Sequence, residues 1–293
     1  MKTLNHLKNF LGIKENSSWQ EAQVVVLPVP FELTTTYIKG TTKGPDALMK
    51  ASHQVELYDD ELHVETYRHG IATLEPLKLN TKVPETAVER IEKEVTKILS
   101  EKEKLILIGG EHTVTVGAVR AHKKRYPSLS VLHLDAHADL REEYESSQYN
   151  HACVMSRIKE ICPFVSVGIR SLCGEEAEQI RSESIPVFDI HAIRKNTNWI
   201  KDSIARLGDH VYITLDLDVL DPSVMPSVGT PEPGGMLWFE LISYLKEVFK
   251  HKHVIGFDLV ELSTKSEKDY GAFTAAKLLY RMIGYWLQVN PSK

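Results

Sequence analysis

Cysteine is scarce in this 293-residue chain, and its placement excludes two kinds of protein. Cys153, Cys162 and Cys173 are odd in number and lack paired Cys-x-x-Cys spacing, so neither a disulfide framework nor a thiolate zinc or redox site is expected. Long hydrophobic runs are also missing. No stretch is apolar enough to span a bilayer, and the opening MKTLNHLKNFLGIKENSSWQ lacks the continuous apolar region and cleavage site of a secretory signal. A cytoplasmic location is expected. With a net charge of -5 and no dense Lys/Arg run interleaved with aromatics, the chain has no face for neutralising phosphates, which excludes nucleic acid as a partner. Gly/Ser linkers, low-complexity tracts and repeats are absent too, so residues 1–293 read as one domain.

What the chain does have is a regular alternation. Eight short β-rich runs, QVVVLPV, GIATL, KLILIGG, LSVLHLD, PFVSVGI, IPVFD, HVYITLD and HVIGFDL, are separated by longer amphipathic segments. This is the pattern of parallel strands joined by crossover helices, and the fold class it predicts is α/β. Helices are expected over 44–58, 84–103 and 113–126. Four strands end in polar clusters, GGEHT, LDAHADL, LDLDVLD and FDLVELS. In an open parallel sheet the carboxyl ends of the strands share one edge, and ligands bind in the crevice outside it.

The clusters carry ligand-type side chains in a telling spacing. Asp135, His137 and Asp139 alternate with Ala136 and Ala138, so an extended backbone points all three to one side, and Asp216 and Asp218 repeat the alternation. His112 follows a strand and two glycines that allow a close backbone approach. A lone Asp after a strand is ordinarily a helix cap or turn former, and a lone histidine an ordinary hydrogen-bonded one. The run DAHAD is different, because buried acids on one side repel each other unless cations compensate. Four carboxylates are balanced by two divalent cations, whereas one would leave a large negative excess. Oxygen-rich ligation with two imidazoles suits Mn2+ better than structural zinc, although Co, Ni or Zn fit such a site in vitro; two Mn2+ are expected. A pair roughly 3.5–4 Å apart lowers the pKa of a shared water towards neutrality, which makes hydrolysis the expected chemistry.

Taken in order, GGEHT, LDAHADL, LDLDVLDPSVMPSVGTPEPGG and GFDLVELS resemble the signatures of the ureohydrolases, the arginase and agmatinase superfamily. PVPFELTTTYIKGTTKGPDAL is similar to the N-terminal segment of the agmatinase branch, so the resemblance spans most of the chain. It implies an α/β/α sandwich around an eight-stranded, mainly parallel sheet, assembled as homotrimers or homohexamers. It also implies that His112 and Asp139 serve one Mn2+, His137 and Asp218 the other, and that Asp135 and Asp216 bridge both. Thr113 stands where Ser is frequent and Ala152 where Gly often follows the histidine; neither departure removes a ligand. The activity implied is hydrolysis of a guanidino compound to urea and an amine. Agmatine, giving putrescine for polyamine biosynthesis, is the leading substrate, with N1-aminopropylagmatine, guanidinobutyrate and arginine as alternatives.

Such a reaction needs a carboxylate to offset two cations facing a guanidinium, and a proton donor for the leaving amine. Glu261, at the end of VIGFDLVE, is the acid of choice, and the resemblance implies that it contacts the guanidino group; the plain alternative is a solvated rim glutamate. His151, directly after REEYESSQYN, resembles the family's shuttle histidine and is expected to titrate near neutral pH. One of Glu142, Glu143 and Glu145 facing the pocket would favour a cationic tail, whereas Arg141 opposes it, and a solvated loop is the plain alternative. Asp189 and His191 share the Asp-x-His spacing but follow a short strand without a third acid, so capping or surface roles are expected. Cys153 is expected in the core, and His133, Asp258 and Glu111 are candidates for orienting the ligands. Two rival classes are a single-zinc deacetylase, which does not need His112, Asp139 and Asp218 together, and a non-catalytic homologue, which usually loses ligands.

Overall fold

The computed structural model describes residues 1–14, 18–265 and 269–289. The apolar runs form strands β1 (Val24–Val29), β2 (Ile71–Thr73), β3 (Lys104–Gly109), β4 (Leu129–Leu134), β5 (Phe164–Val167), β6 (Val187–Phe188), β7 (His210–Asp216) and β8 (His253–Val260). They are continuous rather than alternating in hydrophobicity because the sheet is covered on both faces, as all-parallel sheets must be. The strand order is β2-β1-β3-β8-β7-β4-β5-β6, with every pairing parallel.

The nine helices among the described residues are α1 (Gly44–Ser52), α2 (Pro84–Leu99), α3 (Val114–Arg125), α4 (Val154–Lys159), α5 (Gly174–Ser182), α6 (Ile190–Lys195), α7 (Trp199–Arg206), α8 (Trp238–His251) and α9 (Tyr270–Val289). Successive strand residues divide between two cores, as the two-residue period requires. Val24, Val26, Ile106, Ile108, Leu132 and Leu134 pack with α1 and α6 to α9, whereas Val25, Leu27, Leu105, Leu107 and Val131 pack with α2, α3 and α4. The molecule is thus the expected α/β/α sandwich. The helix expected over 44–58 stops at Ser52, where the N–H groups of His53, Gln54 and Val55 bond three residues back instead of four.

The topology places the four polar strand ends together. After β3 the chain leaves a gap two strands wide, lays down β4, β5 and β6 outward, and then fills the gap with β7 and β8. His112, the DAHAD run, Asp216 with Asp218, and Glu261 therefore emerge from four consecutive strands, β3, β4, β7 and β8, at the middle of the sheet.

Candidate metal centre

Asp135 is the hub of the cluster. Its Oδ1 accepts the His137 N–H at 2.5 Å, and its Oδ2 accepts from Nε2 of buried His133 at 2.9 Å. Two groups with metal-ligand spacing share it: Asp135 and Asp139 with His112 and His133, and Asp135 with His137 and Asp218. His112 Nδ1 lies 3.2 Å from Asp135 Oδ2, 3.1 Å from Asp139 Oδ2 and 3.6 Å from Asp216 Oδ2. His137 Nδ1 lies 2.9 Å from Asp218 Oδ2 and 3.5 Å from Asp135 Oδ1. The six residues singled out in the sequence are therefore brought into one place. Ala136 N–H donates to Asp218 Oδ1 at 3.0 Å, tying the end of β4 to that of β7, and Asp216 caps its own turn by accepting the Asp218 N–H.

The imidazole of His112 tests whether a cation fits. Thr214 Oγ1 donates to Asp258 Oδ1 at 2.7 Å, so its oxygen accepts from His112 Nε2 at 2.9 Å, which puts the ring proton on Nε2. Nδ1 is left as a buried lone pair with no hydrogen-bond partner, facing three carboxylates. Lone pairs crowd one another there unless a cation lies between them, and the donor set of four carboxylates and two imidazoles fits a pair of divalent ions. Burial first, then the Asp218 and Asp135 charges, hold Asp216 well above the usual carboxylate range. Burial, then Asp135, raises Asp139, whereas Asp135 itself is held well below the ordinary range, against its burial, by the charge and the hydrogen bond of His133. Four carboxyl groups are thus buried side by side, and the anions of Asp216 and Asp139 stay disfavoured until a cation offsets them.

Behind the clustered residues runs a polar row set by strand register. Ser166, His133, Thr214 and Asp258 are successive cross-strand partners on β5, β4, β7 and β8. Asp258 accepts three hydroxyl donors, from Thr115 at 2.9 Å, Tyr212 at 2.9 Å and Thr214, while His133 joins Ser166 at 3.0 Å to Asp135. His133 bonds Asp135 directly, and Asp258 reaches His112 only through Thr214. Thr214 is a residue that sequence reasoning missed, although its alternation with Asp216 in YITLD carries the signal that pointed to His133. Glu111 takes a different part from the one expected: it bonds no ligand side chain and binds the 33–34 segment instead.

Two of the clustered positions have left-handed backbones, Asp139 at φ 53° and Glu261 at φ 65°. Each costs on the order of 1–2 kcal/mol, and each is stabilised by a fixed partner. The Asp139 carbonyl accepts the Met155 and Ser156 N–H groups that α4 leaves open, and Glu261 N–H donates to Gly110 O at 2.8 Å. Glu261 is buried, not a solvated rim residue, and its Oε1 accepts the His112 N–H at 2.6 Å. Burial, then the Glu111 carboxylate, push it well above the ordinary glutamate range.

A cleft lined by Thr36, Arg141, Tyr144, His151, Thr230 and Glu261 opens onto the cluster, and a second cavity of about 200 Å³ continues from it past Arg141 and Ala152 to Leu172, Cys173 and Glu176. His151 Nε2 is buried there with no partner. Burial first, then His137 and His112, lower its pKa to about 4, below the neutral range expected of it. None of the three loop glutamates lines either cavity: Glu142 pairs with Arg157 at 2.8 Å and with Ser156, and Glu143 and Glu145 are exposed. Arg141 and Tyr144, its guanidinium 4.8 Å from the ring centroid, occupy the wall instead. Asp189 caps α6 through the Ala192 N–H, His191 is exposed, and Cys153 is buried in the core, all as expected.

Fold and cluster together define a class: an α/β protein with a paired His/Asp metal-binding cluster at the carboxyl edge of a parallel sheet. The sequence profile described as the arginase family matches residues 22–284. An N(1)-aminopropylagmatine ureohydrolase of Synechocystis is 41% identical over 287 residues, 95% of this chain and 94% of that one. An agmatinase of Pyrococcus horikoshii is 34% identical, covering 90% of this chain and 92% of its own. The crystal structure of agmatine ureohydrolase of Thermoplasma volcanium superposes with a TM-score of 0.84 at 31% identity over 92% of each chain. This chain belongs to the arginase family.

Proposed function

We propose that this chain hydrolyses a guanidino compound to urea and an amine, with agmatine as substrate and putrescine as product. The observation that carries the reading is that the His112 N–H fixes a buried carboxylate, Glu261, at the wall of the cleft into which the cluster opens. His112 and Asp139 would hold one Mn2+, His137 and Asp218 the other, with Asp135 and Asp216 shared between them; oxygen and imidazole donors suit manganese. When bound, such a pair supplies the Lewis acidity that brings the ionisation of water towards neutral pH.

The protein's own side chains account for the other requirements. Glu261 offers a buried carboxyl group whose anion is disfavoured by burial and by Glu111 when the cleft is empty, and a guanidinium beside it would favour that anion and offset the repulsion of the cations. A water oxygen adds to the guanidino carbon and the C–N bond to the amine breaks. His151, an imidazole that is neutral at pH 7 and whose Nε2 has no partner, takes the proton that the water gives up and passes it to the departing nitrogen. Its depressed pKa means that it relays a proton instead of storing one.

A second reading, N1-aminopropylagmatine as substrate, is favoured by two observations. Relatives of that name share 35% to 41% identity with this chain, and the cavity beyond Arg141 and Ala152 offers room for a longer tail. The proposal takes 1–293 as a single ureohydrolase domain acting in the cytoplasm as a homotrimer or homohexamer. The profile match over 22–284, the three free thiols and the exposed Tyr37, Phe239 and Tyr270 support it. Urea release with Mn2+ across agmatine, N1-aminopropylagmatine, guanidinobutyrate and arginine tests the reading. The highest kcat/KM is expected for agmatine; a higher value for N1-aminopropylagmatine installs the second reading, and no urea from any of the four overturns both.

A further inference from the structure

The segment 31–36 holds none of the six clustered residues, yet it is bonded to both Glu111 and His151. Glu111, fully buried at the end of β3, spreads its carboxylate over it: Oε2 accepts the N–H groups of Leu33 and Thr34, the latter at 2.7 Å, and Oε1 accepts the hydroxyls of Thr34 and Thr113, each at 2.8 Å. The backbone of Glu111 adds a further tie, its N–H donating to Phe31 O at 2.8 Å. Because the Thr34 hydroxyl gives its proton to Glu111, the oxygen presents its lone pairs elsewhere, and it accepts the backbone N–H of His151 at 2.9 Å. His151 opens the short turn 151–153 that precedes α4, and on the other side the His112 N–H, one residue from Glu111, holds Glu261. The dipeptide Glu111–His112 thus anchors both residues proposed to handle the substrate, Glu261 directly and His151 through Thr34.

We infer that Thr34 is a positioning residue for His151: its hydroxyl passes the rigidity of the Glu111 carboxylate to the backbone from which the imidazole projects. The inference rests on the reading of His151 as the proton relay. An imidazole that is buried with Nε2 unpartnered has nothing at its tip to fix it before substrate arrives, so its aim is set from its backbone. Proton transfer is sensitive to displacements well below 1 Å, so loosening this one bond reduces turnover without touching the ligand set.

The test uses Thr34→Val, which keeps the shape and removes the hydroxyl, and Thr34→Ser, which restores it, each alone and combined with His151→Ala, in the full-length Mn2+-loaded protein. Thr34→Val is expected to lower kcat about 10-fold with KM within about 2-fold, the scale of one lost buried hydrogen bond, while manganese per chain stays at the wild-type value. Thr34→Ser is expected to return kcat to within about 2-fold of wild type, and in the His151→Ala background Thr34→Val is expected to cost nothing further. An equal loss in that background would show that Thr34 acts independently of His151 and overturn the inference. Amide exchange of the 148–154 segment gives a readout free of activity: faster exchange in Thr34→Val but not Thr34→Ser supports the link, and unchanged exchange overturns it. Wild-type turnover by His151→Ala itself would instead overturn the relay role of His151, an outcome distinguishable from failure of the Thr34–His151 link.

Discussion

The residues of the site divide into those that gather charge and those that move a proton, and substitutions should separate them. Asp135→Asn removes the carboxylate shared by the two ligand groups and keeps the size of the side chain, so loss of bound manganese and of urea release is expected together, read by metal analysis beside the urea assay. His151→Ala should keep both ions and lower kcat by about 10²–10³-fold; equal metal loss in the two variants would contradict these roles. Away from the site, His122 provides a stability test. Its Nδ1 bonds Ala118 O at 2.8 Å, and its Nε2 is buried without a partner beside Gly256 and the Tyr212 ring. Burial lowers its pKa to about 4, so on acidification the unfolded chain takes up the proton first; stability is full above about pH 6.5 and is lost as the pH falls towards 4. Between pH 7 and pH 5 the loss is about 2 kcal/mol. Urea denaturation at the two pH values should show that component in the parent and not in His122→Leu.

At the scale of elements, the site depends on loops pressed against strand ends, and the glycines of GGEHT show how closely. A Cβ at Gly110 would lie 2.0 Å from Phe31 O, so only glycine lets the 31–34 segment meet the end of β3. Gly110→Ala should therefore destabilise by about 1–3 kcal/mol, measured as a lower urea midpoint, and should also lower kcat, because the displaced segment carries Thr34. A variant as stable as the parent would contradict this packing. The strand pattern was legible in the sequence because buried parallel strands must be continuous apolar runs, and all eight lie where the runs are. The extent of α1 was not, because the apolar pattern runs on through Val55 and Leu57, which still pack on the core after the backbone has turned out of the helix.

Across the whole molecule, the buried acids are expected to make stability depend on cations. Saturating Mn2+ should raise the unfolding free energy by ~2.7 kcal/mol per ion at a hundredfold excess over Kd. Calorimetry with and without a chelator should show a clear fall in Tm for the parent and almost none for Asp135→Asn. Light scattering is expected to give the mass of three or six chains, and a monomer would refute the assembly proposed. The sequence by itself determined the fold class and the six clustered residues, because the two-residue strand period and the need to balance four buried carboxylates are local and countable. Thr214, Thr34 and the cleft wall formed by Arg141 and Tyr144 were decided only by the tertiary structure, as was the buried, pinned state of Glu261. Each depends on which strand ends and loops become neighbours, and strand order in a parallel sheet comes from long-range packing that no single segment encodes.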